Sequence, residues 1–128
     1  MPEGRQPLGA AGEQVARAFL EQAGYKILRE NYRSRLGEID LIAMEGEVLV
    51  FVEVKARQSR RFGTPQEAVG GEKQRQILRV ASAFLMESRL GEIPCRFDVV
   101  AVTFRKGARG PMVEHIRDAF SADRSGRG

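Results

Sequence analysis

Two apolar, strand-like runs, Gly37-Glu38-Ile39-Asp40-Leu41-Ile42 and Val48-Leu49-Val50-Phe51-Val52-Glu53-Val54-Lys55-Ala56, are broken by charges at short, fixed spacings. Nothing else in the chain restricts its fold as strongly. β-Branched and aromatic residues at this density read as strands, the second of them buried on both faces. Side chains alternate along a strand, so Glu38 and Asp40 share a face that Ile39 does not, and Glu53 and Lys55 share a face that Val52 and Val54 do not. If the two strands pair as a hairpin, Asp40, Glu53 and Lys55 converge on one spot. A carboxylate or ammonium taken out of water costs on the order of several kcal/mol, so these groups need a partner, a metal or an edge position. Taken singly, each is explained by an ion pair at a fraying strand end or by a solvated hairpin. Charges that interrupt an apolar pattern together, where strands end, are the expected mark of a site.

The residue types have a chemistry in common. Two carboxylates and a backbone carbonyl, which Val54 is placed to supply, offer the hard oxygen ligands that Mg²⁺ takes while keeping several waters. Phosphodiester hydrolysis builds negative charge on the transferring group, which a lysine beside the metal stabilises, and Lys55 is the candidate. The expectation is a metal-dependent nuclease with Asp40 and Glu53 as ligands to Mg²⁺ or Mn²⁺. The competing expectation is a binding domain for nucleic acid or protein that keeps the fold without catalysis.

Composition narrows the field further. At 128 residues and 42% hydrophobic content the chain suits one domain with a single core. The 21 basic against 17 acidic residues give a net charge of +4, carried mostly by arginine, which favours phosphate-rich partners. A lone Cys95 and a lone His115 exclude an internal disulfide and a zinc site of the usual Cys/His type. His115 reads as an ordinary strand residue. No signal-like apolar core or bilayer-length apolar run is present, so a cytoplasmic protein without membrane association is expected.

Along the chain, helical spacing of Val15, Ala16, Phe19, Leu20 and Ala23 predicts a helix over Gly9 to Ala23, ended by Gly24. Glu13 falls at the border of its apolar face, where it either leans over the sheet toward the acids or serves as a first-turn acid favoured by the helix dipole. Strands are predicted over Tyr25–Arg33, Glu38–Met44 and Glu47–Ala56 as an antiparallel meander. Gln58–Gly63, with Arg60 and Arg61, reads as a basic loop beside the site. Thr64-Pro65-Gln66-Glu67 has the form of a capping box before Gly70-Gly71. A second helix is expected from Glu72 to Arg89, with Ile77, Leu78, Ala81, Phe84 and Leu85 inward, Gln74 on the same face, and Lys73, Arg75 and Arg79 on its flanks. Arg57, Arg60, Arg61, Lys73 and Arg75 are the candidate nucleic-acid contacts. The run Arg96–Phe104 predicts a further strand in which Asp98 pairs with a basic neighbour, and Val113–Phe120 a last one. Residues 8–120 are expected to form one domain, with flexible termini at 1–7 and 121–128.

Glu13 in a first helix, Gly37-Glu38-Ile39-Asp40-Leu41-Ile42, Val52-Glu53-Val54-Lys55, Lys73-Gln74 opening a helix and Cys95-Arg96-Phe97-Asp98-Val99-Val100 together resemble the YraN family of small bacterial proteins. That family is similar to the restriction-endonuclease-like, PD-(D/E)xK nuclease superfamily, including archaeal Holliday-junction resolvases. The resemblance spans roughly residues 8 to 120. It implies an α/β fold with a restriction-endonuclease-like αβββαβ core, a central mixed sheet flanked by helices, and one extra C-terminal strand. It further implies Asp40 and Glu53 as metal ligands, Lys55 as catalytic lysine, Glu13 as a further acidic ligand or water-orienting group, and Gln74 as a supporting helix residue. Ile39 stands where the superfamily name has proline, which removes no chemical group. The implied partner is nucleic acid, DNA first. A junction-cutting enzyme needs two active sites and so points to a homodimer.

Overall fold

The computed structural model describes residues 8–58 and 69–121. The expected N-terminal extension, the basic loop bearing Arg60 and Arg61, the capping box at 64–67 and the tail from 122 onward lie outside the described residues. The elements run α1 (Leu8–Gln22), β1 (Lys26–Ser34), β2 (Gly37–Glu45), β3 (Val48–Arg57), α2 (Gly71–Ser88), β4 (Cys95–Thr103) and β5 (Met112–Phe120). This is the αβββαβ order with a further strand that the sequence implies.

The five strands form one mixed sheet in the order β1-β2-β3-β4-β5. The first three make an antiparallel meander, as expected from the short turns between them. β4 runs parallel to β3, with Leu49 opposite Cys95 and Arg57 opposite Thr103. A parallel partner requires a crossover, and α2 supplies it. β5 then turns back antiparallel on β4.

Strand alternation sorts the core into two layers. Tyr32, Ile39, Ile42, Leu49, Phe51, Phe97, Val99 and Phe120 face α2, where they pack on Ile77, Val80, Ala81 and Phe84. Leu41, Ala43, Val50, Val52, Val100 and Val102 face α1 and pack on Ala16 and Leu20. The central strands β3 and β4 are thus covered on both sides, which is why their sequences are nearly continuous apolar runs. Val80, outside the expected inward set, is fully buried, whereas Phe19 is 36% exposed and turns its ring edge to His115. Gly24, with φ +98, lets Tyr25 return its N–H to Leu20 and so ends α1.

One close approach sets the height of α1 above the sheet. Gly12 lies against Ala56 so tightly that a methyl group built on it would stand 2.5 Å from the Ala56 Cβ. The helix start therefore rests on the end of β3, with Glu13 as the next residue.

Candidate functional site

β2 and β3 pair from Glu45–Val48 to Leu41–Val52, and the ladder stops there. Beyond it β3 stays paired to β4 but loses β2 on its other side. The N–H of Val54, which a continuing ladder would have satisfied, donates instead to the Asp40 carboxylate at 2.8 Å. Asp40 thus closes the fork where the two strands separate. The same divergence breaks the alternation of β2: Ile39 belongs to the α2 layer and Leu41 to the α1 layer, although residues two apart normally share a face.

Three carboxylates gather at this fork. Oxygens of Glu13, Glu38 and Asp40 lie within 4.8 Å of one another, a donor set of the kind that holds a hard cation. Burial raises the Asp40 carboxyl above its ordinary value, and the nearby Glu38 charge adds to this against the Val54 N–H. Glu13 is raised by burial and then by Asp40, with Asn31 opposing. Asn31 stands in β1 between the pairs Glu30–Leu41 and Tyr32–Ile39, hence across from Asp40, and holds the left-handed backbone (φ +53) that asparagine tolerates.

Glu53 comes to the same place from β3, with 6% of its surface exposed. Burial and the Asp40 charge push its carboxyl up to about 7, even though two ammonium groups oppose them. Those are Lys55, with Nζ at 3.9 Å, and Lys73 from α2, at 3.7 Å. The four acids and two lysines therefore come from α1, β2, β3 and α2. The ordering of the carboxylates differs from a simple hairpin reading: Glu13 and Glu38 are the close neighbours of Asp40, while Glu53 sits against the lysines.

The remaining expected site residues divide. Lys73 turns toward Glu53, whereas Arg75 is exposed on α2. Gln74 finds its partner locally, its amide donating to the Val69 carbonyl at 2.9 Å. Arg57 is half-buried at the end of β3, where its carbonyl accepts the Phe104 N–H. Sequence reasoning set Glu38 on the Asp40 face without counting it among the ligands, and missed Asn31 and Gln76 as parts of this region. Only Glu38 had a signal, its shared strand face with Asp40. Gln76 donates to the Leu36 carbonyl at 3.2 Å and packs over Gly37, tying the β1–β2 turn to α2.

A second polar cluster occupies the other end of β2. Asp98, fully buried, accepts two hydrogen bonds from Arg96 at 2.9 Å each, one from the Asp118 N–H at 2.9 Å, and lies 2.8 Å from His115 Nε2. Arg96 also reaches Glu45 at 2.6 Å and the Tyr25 hydroxyl at 2.7 Å. These bonds outweigh burial and hold the Asp98 carboxyl down at about 2. The expected basic partner of Asp98 is thus Arg96, with His115 a second neighbour.

No helix among the described residues is long and apolar enough to cross a membrane. The model of Uncharacterised protein family UPF0102 matches residues 12–102, from the residue before Glu13 to the penultimate residue of β4. A UPF0102 protein of Symbiobacterium thermophilum is 59% identical over 118 residues, 90% of this chain and 97% of that protein. Similar proteins of Syntrophus aciditrophicus and Rhodococcus opacus are each 51% identical, over 112 and 113 residues. Both alignments take in 88% of this chain, with 87% and 95% of the respective relative.

Proposed function

The chain belongs to the UPF0102 family, and from that premise we propose that it is a Mg²⁺- or Mn²⁺-dependent nuclease acting on DNA. The observation that carries the reading is the fork at Asp40, where mutually close carboxylates remain beside a fourth whose charge burial resists. A purely structural cluster would be neutralised by its own cations. Among the described residues Glu13, Asp40 and Glu53 are each raised by burial and by a neighbouring carboxylate, and a divalent cation fits both the oxygen donors and that crowding.

Asp40 is the natural common ligand, with Glu13 and Glu38 on one side and Glu53 and the Val54 carbonyl offered by β3. A cation held there supplies Lewis-acid polarisation of a phosphate oxygen and lowers the pKa of a coordinated water. The Val54 N–H fixes the Asp40 carboxylate so that it meets a ligand without rearranging. Lys55 holds an ammonium beside the acids, where it stabilises negative charge developing on the phosphoryl group or orients the attacking water. Lys73 shares the Glu53 carboxylate with it and partly opposes the effect of burial on that group. The net charge of +4 and the exposed arginines of α2 suit a polyanionic substrate, to which a domain of this size offers little surface for reading sequence.

The test is cleavage of a labelled panel of single-stranded, duplex, flap and four-way-junction DNA with Mg²⁺ or Mn²⁺. Wild type cuts; Asp40→Asn and Lys55→Ala fold normally and lose cutting by about 100-fold or more. Undiminished cutting by either variant assigns the activity to other residues.

A further inference from the structure

The turn joining β1 to β2 presents an apolar side chain where none is needed for folding. Leu36 is 47% exposed at the hairpin tip, followed at once by Gly37 and Glu38. Hairpin tips are ordinarily polar, and this one is tied at two points: the Leu36 N–H donates to Ser34 Oγ at 3.0 Å and its carbonyl accepts from Gln76. Gly37 holds φ +146, a backbone that favours glycine, and a Cβ there would displace the Gln76 side chain that packs at 2.8 Å. Two arginines flank the leucine. Arg33 is 74% exposed in its side chain and pairs with Glu38 at 3.6 Å, and Arg35 is exposed. On the other side of Gln76 an open depression of about 350 Å³ is lined by Glu72, Lys73, Gln76 and Arg79. Its lining therefore joins the hairpin tip, through Gln76, to the acid fork, through Lys73 and Glu53.

We propose that Leu36 is a wedge that enters the base stack at a duplex end or branch and parts the strands, with Arg33 and Arg35 on the phosphates and the released strand lying in the depression. The proposal rests on the nucleic-acid side of the function above and names the substrate it selects: DNA with a boundary between paired and unpaired bases. Rigid apolar side chains flanked by basic ones are how proteins unstack base steps, and the basic side chains offset the cost by binding backbone. From Leu36 to Asp40 is about 13 Å at the rise of a strand, or about four stacked nucleotides. A cut directed by the wedge therefore falls within a few nucleotides of the boundary.

The experiment places 2-aminopurine at the last base pair of a forked DNA duplex and follows its fluorescence on saturation with the full chain in EDTA, with anisotropy as a separate measure of binding. Wild type raises the fluorescence. Leu36→Ser binds but loses most of that rise, Leu36→Phe keeps it, and Asp40→Asn, which removes a proposed ligand, keeps it as well. Leu36 is exposed, so the serine variant folds. A wild-type complex in which the base stays stacked overturns the wedge, as does a Leu36→Ser complex that unstacks it equally well, or the absence of binding to the fork. The two readings separate: a protein that cuts without unstacking retains the nuclease and loses the wedge, while one that unstacks and never cuts does the reverse.

Discussion

The two ends of β2 carry polar clusters of similar size and opposite character. At its far end Glu45 joins Arg96, Asp98, His115, Tyr25 and Arg117 in a network where each buried charge has a counter-charge at hydrogen-bonding distance. At its near end Glu38 and Asp40 join Glu13 and Glu53, whose two lysines stand at 3.7–3.9 Å. The carboxyl of Asp98 is held down to about 2, while that of Glu53 is pushed up to about 7. Burial acts in the same direction on both, so the difference lies in the partners. That contrast between two buried acids a strand's length apart is what the proposed cation site predicts.

The comparison breaks most easily at Asp98. Replacing it with alanine takes two hydrogen bonds from Arg96, whose side chain is only 14% exposed, and the acceptor from the Asp118 N–H, and is expected to cost about 3 kcal/mol in urea unfolding at pH 7. Asp40→Asn, at the other end, is expected to leave the metal-free protein as stable or make it more so. A comparable loss from both would mean that both clusters are structural.

pH sharpens the contrast. The Glu53 carboxyl is raised in the folded state, so the native protein binds the extra proton between the unfolded value near 4.5 and about 7, and stability falls as pH rises through that window. Glu53→Gln removes the penalty, and relative to wild type without divalent metal it should gain on the order of 2 kcal/mol between pH 5 and pH 8. Asp98 has the opposite sign: its depressed carboxyl contributes stability that is present above pH 4 and lost as pH falls toward 2. Urea titrations at pH 3, 5 and 8 read both, and a flat Glu53→Gln difference would remove the claim of conflict at the fork.

The smallest effect lies at the rim of the satisfied cluster. Arg117 bonds Glu45 at 3.1 Å, but its side chain is 56% exposed, so Arg117→Ala should cost under about 1 kcal/mol and less at high salt. A larger loss would extend the buried network to the surface.

Much of this was legible because it follows from periodicity. Alternation in the β3 run placed Glu53 and Lys55 on one face, the helical wheel set Glu13 on the border of α1, and apolar spacing gave the helix between β3 and β4. Arg96, two residues from Asp98 on the same face, was open to the same reading. What escaped depended on breaks in period or on register between distant elements. The β1–β2 register sets Asn31 across from Asp40 and the β2–β3 ladder stops at Leu41–Val52, and no local pattern announces either. The pairing of His115 with Asp98 needs the β4–β5 register and its bulge near Phe97. Lys73 was read as a flank charge because the approach of α2 to Glu53 is a packing outcome, as is the hold of Gln76 on the hairpin tip.

The central claim is that the fork at Asp40 is a cation site, and thermal unfolding in the presence of Mg²⁺ or Mn²⁺ tests it most directly. Preferential binding to the native state should raise the wild-type Tm progressively, by the equivalent of about 2.7 kcal/mol at a hundred times Kd, while Asp40→Asn loses the rise and a folded variant such as Arg117→Ala keeps it. A wild-type Tm indifferent to either ion, or a rise that survives Asp40→Asn undiminished, would contradict the account.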